Sequence, residues 1–405
     1  MRVLHVIPSL TAASGGPTAA LIGLARAQAA AGGRVTVLAA QRAGEAVHDA
    51  DALAESGVRV EVVGPCRGPL RRHPALRSRV RSLMAEHDVV HIHGVWEEVQ
   101  FQAVREALAR GVPFIIRPCG MLDEWSLARK PWKKRLYRWW RLDRMLAAAT
   151  AVHCTTAMEA ESTARACGKT PIIIEPNGID LTDFAELPPR GRCRQEYGCG
   201  TRPIVLFLGR IHPGKGLEYL VPAMPLLRDR DAMVMVVGPD SKGYREVITA
   251  LAREHGVADR MKFTGPLGGQ AKVEALVDAD VLALPSEHEN FGNVVIEALA
   301  ARCPVVVSDH VGAGAEVASR SVGSVVPLDP VQIAASLDDW LADEGRRRLA
   351  GETGRAFVFE QFAWPRIAAA WLDRYHTITE EHARSEPAVA ARGFVHSQPR
   401  RSDSA

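Results

Sequence analysis

Residues 280–298 read Asp280-Val281-Leu282-Ala283-Leu284-Pro285-Ser286-Glu287-His288-Glu289-Asn290-Phe291-Gly292-Asn293-Val294-Val295-Ile296-Glu297-Ala298. The short apolar run at 281–284 predicts a buried parallel strand, and the periodic run at 294–301 predicts a helix. Two carboxylates, Glu289 and Glu297, bracket the helix start with seven residues between them. Such a junction lies at the carboxyl end of the strands, where open α/β sheets bind ligands. The helix amino terminus offers free N–H groups and the positive end of its dipole, which suit a phosphate. Glu297, about one and a half turns into the helix, can border the same crevice as Glu289. Carboxylates beside an anion site make sense when the ligand also carries hydroxyl groups, as a nucleotide-sugar does. From these residues alone, a surface loop and a helix capped near Ser286 or Asn290 reads equally well.

Outward from this stretch, apolar runs alternate with helical patterns. Strands are predicted at 3–7, 35–39, 58–63, 89–92, 114–116, 151–154 and 172–174, then at 204–208, 233–237, 262–264, 281–284, 305–307 and 324–326. Helices are predicted at 17–31, 98–109, 217–227, 244–255, 270–277, 294–301 and 331–342. Continuously apolar strands between helices imply parallel sheets covered on both faces. The fold class is therefore α/β, with two doubly wound, Rossmann-like parallel-sheet domains. A first domain is expected over 1–185 and a turn-rich linker over 186–200. A second domain is expected over 201–362. Trp364, Ile367, Trp371 and Tyr375, at helical spacing, predict a helix over 363–380 that packs back across the domain junction. The polar remainder, 381–405, is expected to be disordered.

A chain of 405 residues is long for one core. Its 47% hydrophobic and 24% charged content is that of a globular protein. A net charge of +3 gives no general attraction to nucleic acid, and no nucleic-acid partner is expected. The seven cysteines form no CxxC pair or metal-ligand spacing, so reduced thiols and no zinc are expected. The amino terminus lacks a secretory pattern, and no run reaches membrane-span length. A cytoplasmic location is expected.

Four further segments carry chemistry. Gly209-Arg210-Ile211-His212-Pro213-Gly214-Lys215-Gly216 follows the first strand of the second domain and sets two cations around a glycine-rich turn. Arginine suits bidentate contact with phosphate oxygens and lysine supplies a point charge, although a solvated basic turn has the same composition. Gly15-Gly16 before Pro17 opens the first helix and would let backbone N–H groups approach a phosphate. His91 and His93 point to the same side of a strand. They could form a metal pair, but no carboxylate spacing completes it. His93, nearer the strand end, is the candidate to face the cleft. Finally, residues 121–144 concentrate Trp125, Trp132, Lys133, Lys134, Arg135, Trp139 and Trp140. A basic helix with boundary aromatics is the pattern of an interfacial membrane segment, and a core-facing helix with a solvated basic face is the alternative.

In this order, the motifs resemble the retaining glycosyltransferases of the GT-B fold, group 1, also called family 4. Those carrying the resemblance are Glu289 through Glu297, Gly209-Arg210 through Lys215-Gly216, Gly15-Gly16, His93 and Pro176-Asn177-Gly178-Ile179-Asp180. Arg117-Pro118-Cys119-Gly120-Met121-Leu122, followed by Trp125, resembles a subgroup from bacterial polysaccharide gene clusters. Asn290 departs from the family pattern, where many members carry glycine.

The resemblance implies metal-independent transfer of a sugar from UDP or GDP to a glycan, with no cofactor. Arg210 and Lys215 would neutralise the departing diphosphate, Glu289 would hold sugar hydroxyls and His93 would contact the sugar. Glu297 would bind ribose, and Gly15, Gly16, Gly209, Asn290, Phe291, Gly292 and Asn293 would complete the donor site. Trp125, Trp132, Lys133, Lys134, Arg135 and Trp139 are candidates to contact a lipid-linked acceptor or the anionic inner membrane. A non-hydrolysing nucleotide-sugar 2-epimerase and a non-catalytic nucleotide-sugar-binding protein remain as alternatives.

Overall fold

The computed structural model describes residues 1–11 and 14–390. It contains a seven-stranded and a six-stranded sheet. The first is built from β1 (Arg2–Ile7), β2 (Arg34–Ala40), β3 (Arg59–Val63), β4 (Val89–His93), β5 (Phe114–Arg117), β6 (Ala151–Cys154) and β7 (Ile172–Ile174). Its spatial order is β3-β2-β1-β4-β5-β6-β7, and the pairings are parallel. The second contains β8 (Ile204–Leu208), β9 (Met233–Val237), β10 (Met261–Gly265), β11 (Val281–Leu284), β12 (Val305–Ser308) and β13 (Gly323–Val326). These are ordered β10-β9-β8-β11-β12-β13, again in parallel. Central strands such as β8, β9 and β11 are buried throughout because helices cover both faces, while the edge strands β10 and β13 are partly open. Strand order reverses between β1 and β4 and between β8 and β11, which opens a crevice at the carboxyl end of each sheet.

Two boundary expectations need correction. The segment 186–200 is no free linker: Cys193 and Cys199 are buried in the second core together with Ile179 and Phe184. Asp278 and Asp280 anchor it, Asp280 taking Arg194 at 2.7 Å and Asp278 taking the Arg194 N–H at 2.9 Å. The chain crosses between domains earlier, where the Ile179 N–H donates to the Phe362 carbonyl at 2.8 Å, so both crossings run side by side. The expected tail also begins too early, since the last helix spans Trp364–Ala390. Residues 391–405 lie outside the described residues.

That helix packs on the first domain. Ile367, Trp371, Tyr375 and Ile378 share a core with Val3, Leu24, Val89, Ile115 and Ala151. At its start, Trp364 is wedged between two glycines. A Cβ would lie 2.3 Å from the indole at Gly23 and 2.4 Å from it at Gly178. Gly178 is thus required by a close approach of the indole and not by its own dihedral angles. Arg374 and Arg366 reach the buried Glu175 at 3.0 and 3.5 Å and fasten the helix to the crossover. Among the described residues, no helix is long and apolar enough to cross a membrane.

Candidate active site

The second-domain crevice is lined by the loops after β8 and β11. Gly214 and Gly216 adopt φ of 80° and 93°, which side chains avoid, and a Cβ on Gly216 would lie 1.9 Å from the Pro285 carbonyl. The loops are tied together by the Glu287 N–H donating to the Gly214 carbonyl at 3.0 Å. Lys215 reaches across to form an ion pair with Glu289. Glu289 is itself fixed by backbone: its N–H donates to the His310 carbonyl at 3.0 Å, and its carbonyl accepts from Gly312 at 2.8 Å. Arg210 is exposed and has no carboxylate partner among the described residues. Gly292, at φ 91°, caps the helix Asn293–Ala300. Glu297 lies on this helix, paired with Lys272 at 2.9 Å. On the first-domain side, Gly15 and Gly16 open the helix Gly16–Ala30, and a Cβ added to either would meet nothing within 4 Å. That open space leaves their backbone accessible. Two cations, Arg210 and Lys215, two carboxylates, Glu289 and Glu297, and glycine-led helix starts thus lie at the strand ends.

Three expected site residues serve elsewhere. Phe291 is buried in the second core, its ring 6.0 Å from that of Phe362, because the loop needs an apolar anchor beneath it. Asn290 turns its side chain away from the donor crevice, donating to Thr155 Oγ1 at 3.0 Å and Glu159 Oε2 at 3.1 Å in the first domain. His93 is fully buried, so it does not open on the cleft. The strand alternation does place His91 and His93 on one side, with rings stacked at 4.5 Å. That side is covered by the last helix, which sequence spacing could not reveal.

The covered side holds a chain of imidazoles. Gln28 meets His5 Nε2 at 2.8 Å, and His5 Nδ1 meets His93 Nε2 at 3.0 Å. Tyr375 meets His91 Nδ1 at 2.6 Å, and His91 Nε2 meets His153 Nδ1 at 3.2 Å. Burial pushes His5 down to about 4, and it pushes His91, His93 and His153 well below the ordinary value. The nearby Arg117 adds to each shift. Ligand atoms of His5, His91 and His93 lie within 4.8 Å of one another, the spacing of a possible metal triad. Apart from His93 Nδ1, the ring nitrogens are already hydrogen-bonded, and Arg117 makes the potential unfavourable to a cation.

The basic aromatic segment divides in the structure. It comprises the helix Pro131–Tyr137, a π-helical turn Arg138–Leu142 and the helix Asp143–Ala148. Tyr137, Leu142 and Met145 are buried, and Arg141 is drawn in to Glu98 at 2.7 Å. Trp132, Leu136, Trp139 and Trp140 instead remain 67%, 56%, 75% and 49% exposed. Lys134 folds back over Trp96 at 5.3 Å, whereas Lys133 and Arg135 stay on the surface. Trp125 lies apart, stacked on His288 with centroids 5.4 Å apart. Asp123, Thr155, Glu159 and Lys272, outside every motif, and His288, inside one but without an expected role, prove to hold the site together. Apart from the Thr155–Glu159 contact, their partners are distant in sequence, so no local pattern could have found them.

Both halves of the chain match known families. Residues 15–178 match the model for a glycosyl transferase 4-like domain, and residues 192–357 match that for glycosyl transferases group 1. A GDP-mannose-dependent alpha-(1-6)-phosphatidylinositol monomannoside mannosyltransferase of Mycobacterium tuberculosis is 31% identical over 312 residues, 74% of this chain and 79% of that one. A D-inositol 3-phosphate glycosyltransferase of Nocardia farcinica is 29% identical over 366 residues, 85% of this chain and 80% of that one. In fold, the chain resembles Anabaena Alr3699/HepE, solved with UDP and glucose, at TM-score 0.76 and 18% identity over 93% of this chain and 100% of that one. The crevice chemistry, the paired parallel sheets and these relatives agree, and the chain belongs to the group 1 glycosyltransferases of the GT-B fold.

Proposed function

We propose that the protein transfers a sugar, with retention of configuration, from UDP or GDP to a lipid-linked glycan of cell-surface polysaccharide synthesis. The observation that supports this reading is the Lys215–Glu289 ion pair across the loops after β8 and β11, with Arg210 exposed on the first of these loops and Glu297 on the helix that follows the second. As the bond to the anomeric carbon breaks, negative charge grows on the diphosphate, where Arg210 and Lys215 oppose it. These two side-chain cations do the work that a divalent metal does elsewhere, so the reaction should continue in a chelator. Glu289 accepts from sugar hydroxyls and Glu297 from ribose hydroxyls. Retention follows when the acceptor hydroxyl attacks the face the diphosphate leaves and passes its proton to a leaving oxygen. The mycobacterial relative's name specifies GDP-mannose and the Anabaena protein was solved with UDP, so both bases belong in the test.

A thermal-shift panel should raise Tm with one nucleotide series, and Glu297→Ala should weaken that shift about tenfold in ligand concentration without lowering the unliganded Tm. An unchanged dose response in the variant would remove Glu297 from the site. Transfer to an acceptor, as opposed to isomerised free donor, separates this activity from an epimerase.

The lipid-linked part of the proposal rests on the exposed indoles of Trp132, Trp139 and Trp140 beside Lys133, Arg135 and Arg138. Aromatic rings at head-group depth with flanking cations suit the anionic cytoplasmic face of a membrane. Phosphatidylglycerol vesicles should bind the protein, phosphatidylcholine vesicles much less, and the double variant Trp139→Ser/Arg135→Glu should stay in the supernatant. Equal sedimentation of wild type and variant would exclude this surface.

A further inference from the structure

The donor-side loop 287–293 is gripped from the other domain at four points. His288 Nε2 lies 2.9 Å from Asp123 Oδ2, without hydrogen-bond geometry, as an ion pair when the imidazole is protonated, and its ring stacks on Trp125 at an interplanar angle of 19°. The Asn290 amide donates to Thr155 and Glu159 at 3.0 and 3.1 Å. The Asn290 carbonyl accepts from Thr156 Oγ1 at 3.3 Å. Asn293 Oδ1 accepts from Asn177 Nδ2 at 3.2 Å, and Asn177 is held by Arg117 at 2.5 Å. Between these grips stands Glu289, paired with Lys215.

The first-domain side of the grip is built in advance. Buried Glu159 accepts from the Gly120 N–H at 2.7 Å and from the Thr155 N–H and hydroxyl at 2.7 and 2.9 Å. Its remaining donor is Asn290, which comes from the second domain. Gly120, at φ 71°, makes room for it: a Cβ there would lie 3.0 Å from Asn290 Cβ. Separating the domains would leave the Asn290 amide and this carboxylate to water, an exchange of modest net cost that allows repeated opening and closing.

We infer that Asn290, His288 and Asp123 are positioning residues that clasp the two domains around the donor loop, so that closing the cleft and aiming Glu289 are one event. The inference rests on the proposed donor role of Glu289, while the grip itself is independent of it. Closure of this kind excludes water and brings the acceptor to the reacting carbon.

The test uses the full chain with Asn290→Ala, Asn290→Asp and Asp123→Asn. Asn290→Asp keeps the shape and sets a second carboxylate against Glu159. Small-angle scattering of the unliganded proteins should give a larger radius of gyration for each variant than for wild type. In transfer assays, kcat should fall about 10- to 100-fold, while calorimetric affinity for the UDP or GDP that wild type binds stays the same. Parallel losses of kcat and nucleotide affinity would assign Asn290 to donor contact and overturn the clasp. An unchanged radius of gyration in all three variants would overturn it as well. If wild type bound neither nucleotide, the donor reading would fail and the scattering would still decide the clasp.

Discussion

Lys215→Ala is expected to lower kcat for transfer by about 10²- to 10³-fold while leaving Tm near that of wild type. Lys215 sits between two positive-φ glycines, on a loop that the Pro285 carbonyl holds too close for a side chain at Gly216. The backbone there is determined by glycine geometry and inter-loop hydrogen bonds, so losing the lysine leaves the loop in place. What disappears is a cation poised beside Glu289, where a diphosphate would gain charge. A charge fixed before the reaction helps the transition state more than the ground state, so the loss should appear mainly in kcat. Lys215→Arg should recover part of the rate, because it restores the charge with different geometry. Steady-state kinetics with saturating donor, with and without chelator, check both statements. A rate for Lys215→Ala within about twofold of wild type would falsify the assignment of the leaving-group site.

The second large effect is loss of stability on mild acidification. His5, His91, His93 and His153 are buried and stay neutral in the fold, with His5 down to about 4 from an ordinary 6.5. The unfolded chain takes up these protons as pH falls through about 6.5, and the folded chain cannot. Stability therefore drops from the unfolded value downward, by about 1.4 kcal/mol per histidine per pH unit. For His5 alone the loss between pH 6.5 and its folded value is ~3 kcal/mol. Among the described residues, the groups at the cluster are Gln28 from the first helix, Tyr375 and Trp371 from the last, Arg117 from β5, the main-chain carbonyl of Glu175 on His153 and, acting through space, the cationic Arg374 and the imidazole of His87. Glu97, whose carboxyl burial pushes up, acts in the opposite sense but is a single group. Urea unfolding between pH 7.5 and 5 should show the midpoint falling steeply below pH 6.5. A flat profile would mean that the imidazoles accept protons within the fold.

The parts of the fold legible beforehand are those encoded by near neighbours in the chain. Each apolar run read as a strand is one, because parallel strands covered on both faces are apolar at most positions. The glycine turns at 209–216 and 292 lie at strand ends for the same local reason, and they bring Lys215 to Glu289 and set Glu297 on the adjoining helix. Misreadings arose where burial depends on what arrives from elsewhere. Phe291 resembled a ligand contact until the second core claimed it. The turn-rich segment 186–200 resembled a linker until Asp278 and Asp280, some 80 residues on, anchored it. The basic run 131–144 gave no sign of which rings would be covered; in the fold Tyr137, Leu142 and Met145 face the core while Trp132, Trp139 and Trp140 stay exposed.

By itself, then, the sequence determined the alternation of strands and helices, the two sheets and the loops that carry charge to their carboxyl ends. These follow from dihedral preference and periodicity, which act over a few residues. The tertiary structure alone decided that His93 is sealed beneath a helix beginning 271 residues later (93 to 364), and that Asn290 reaches Thr155 and Glu159. Such contacts depend on surfaces that meet only after both domains have formed, and no spacing along the chain encodes them.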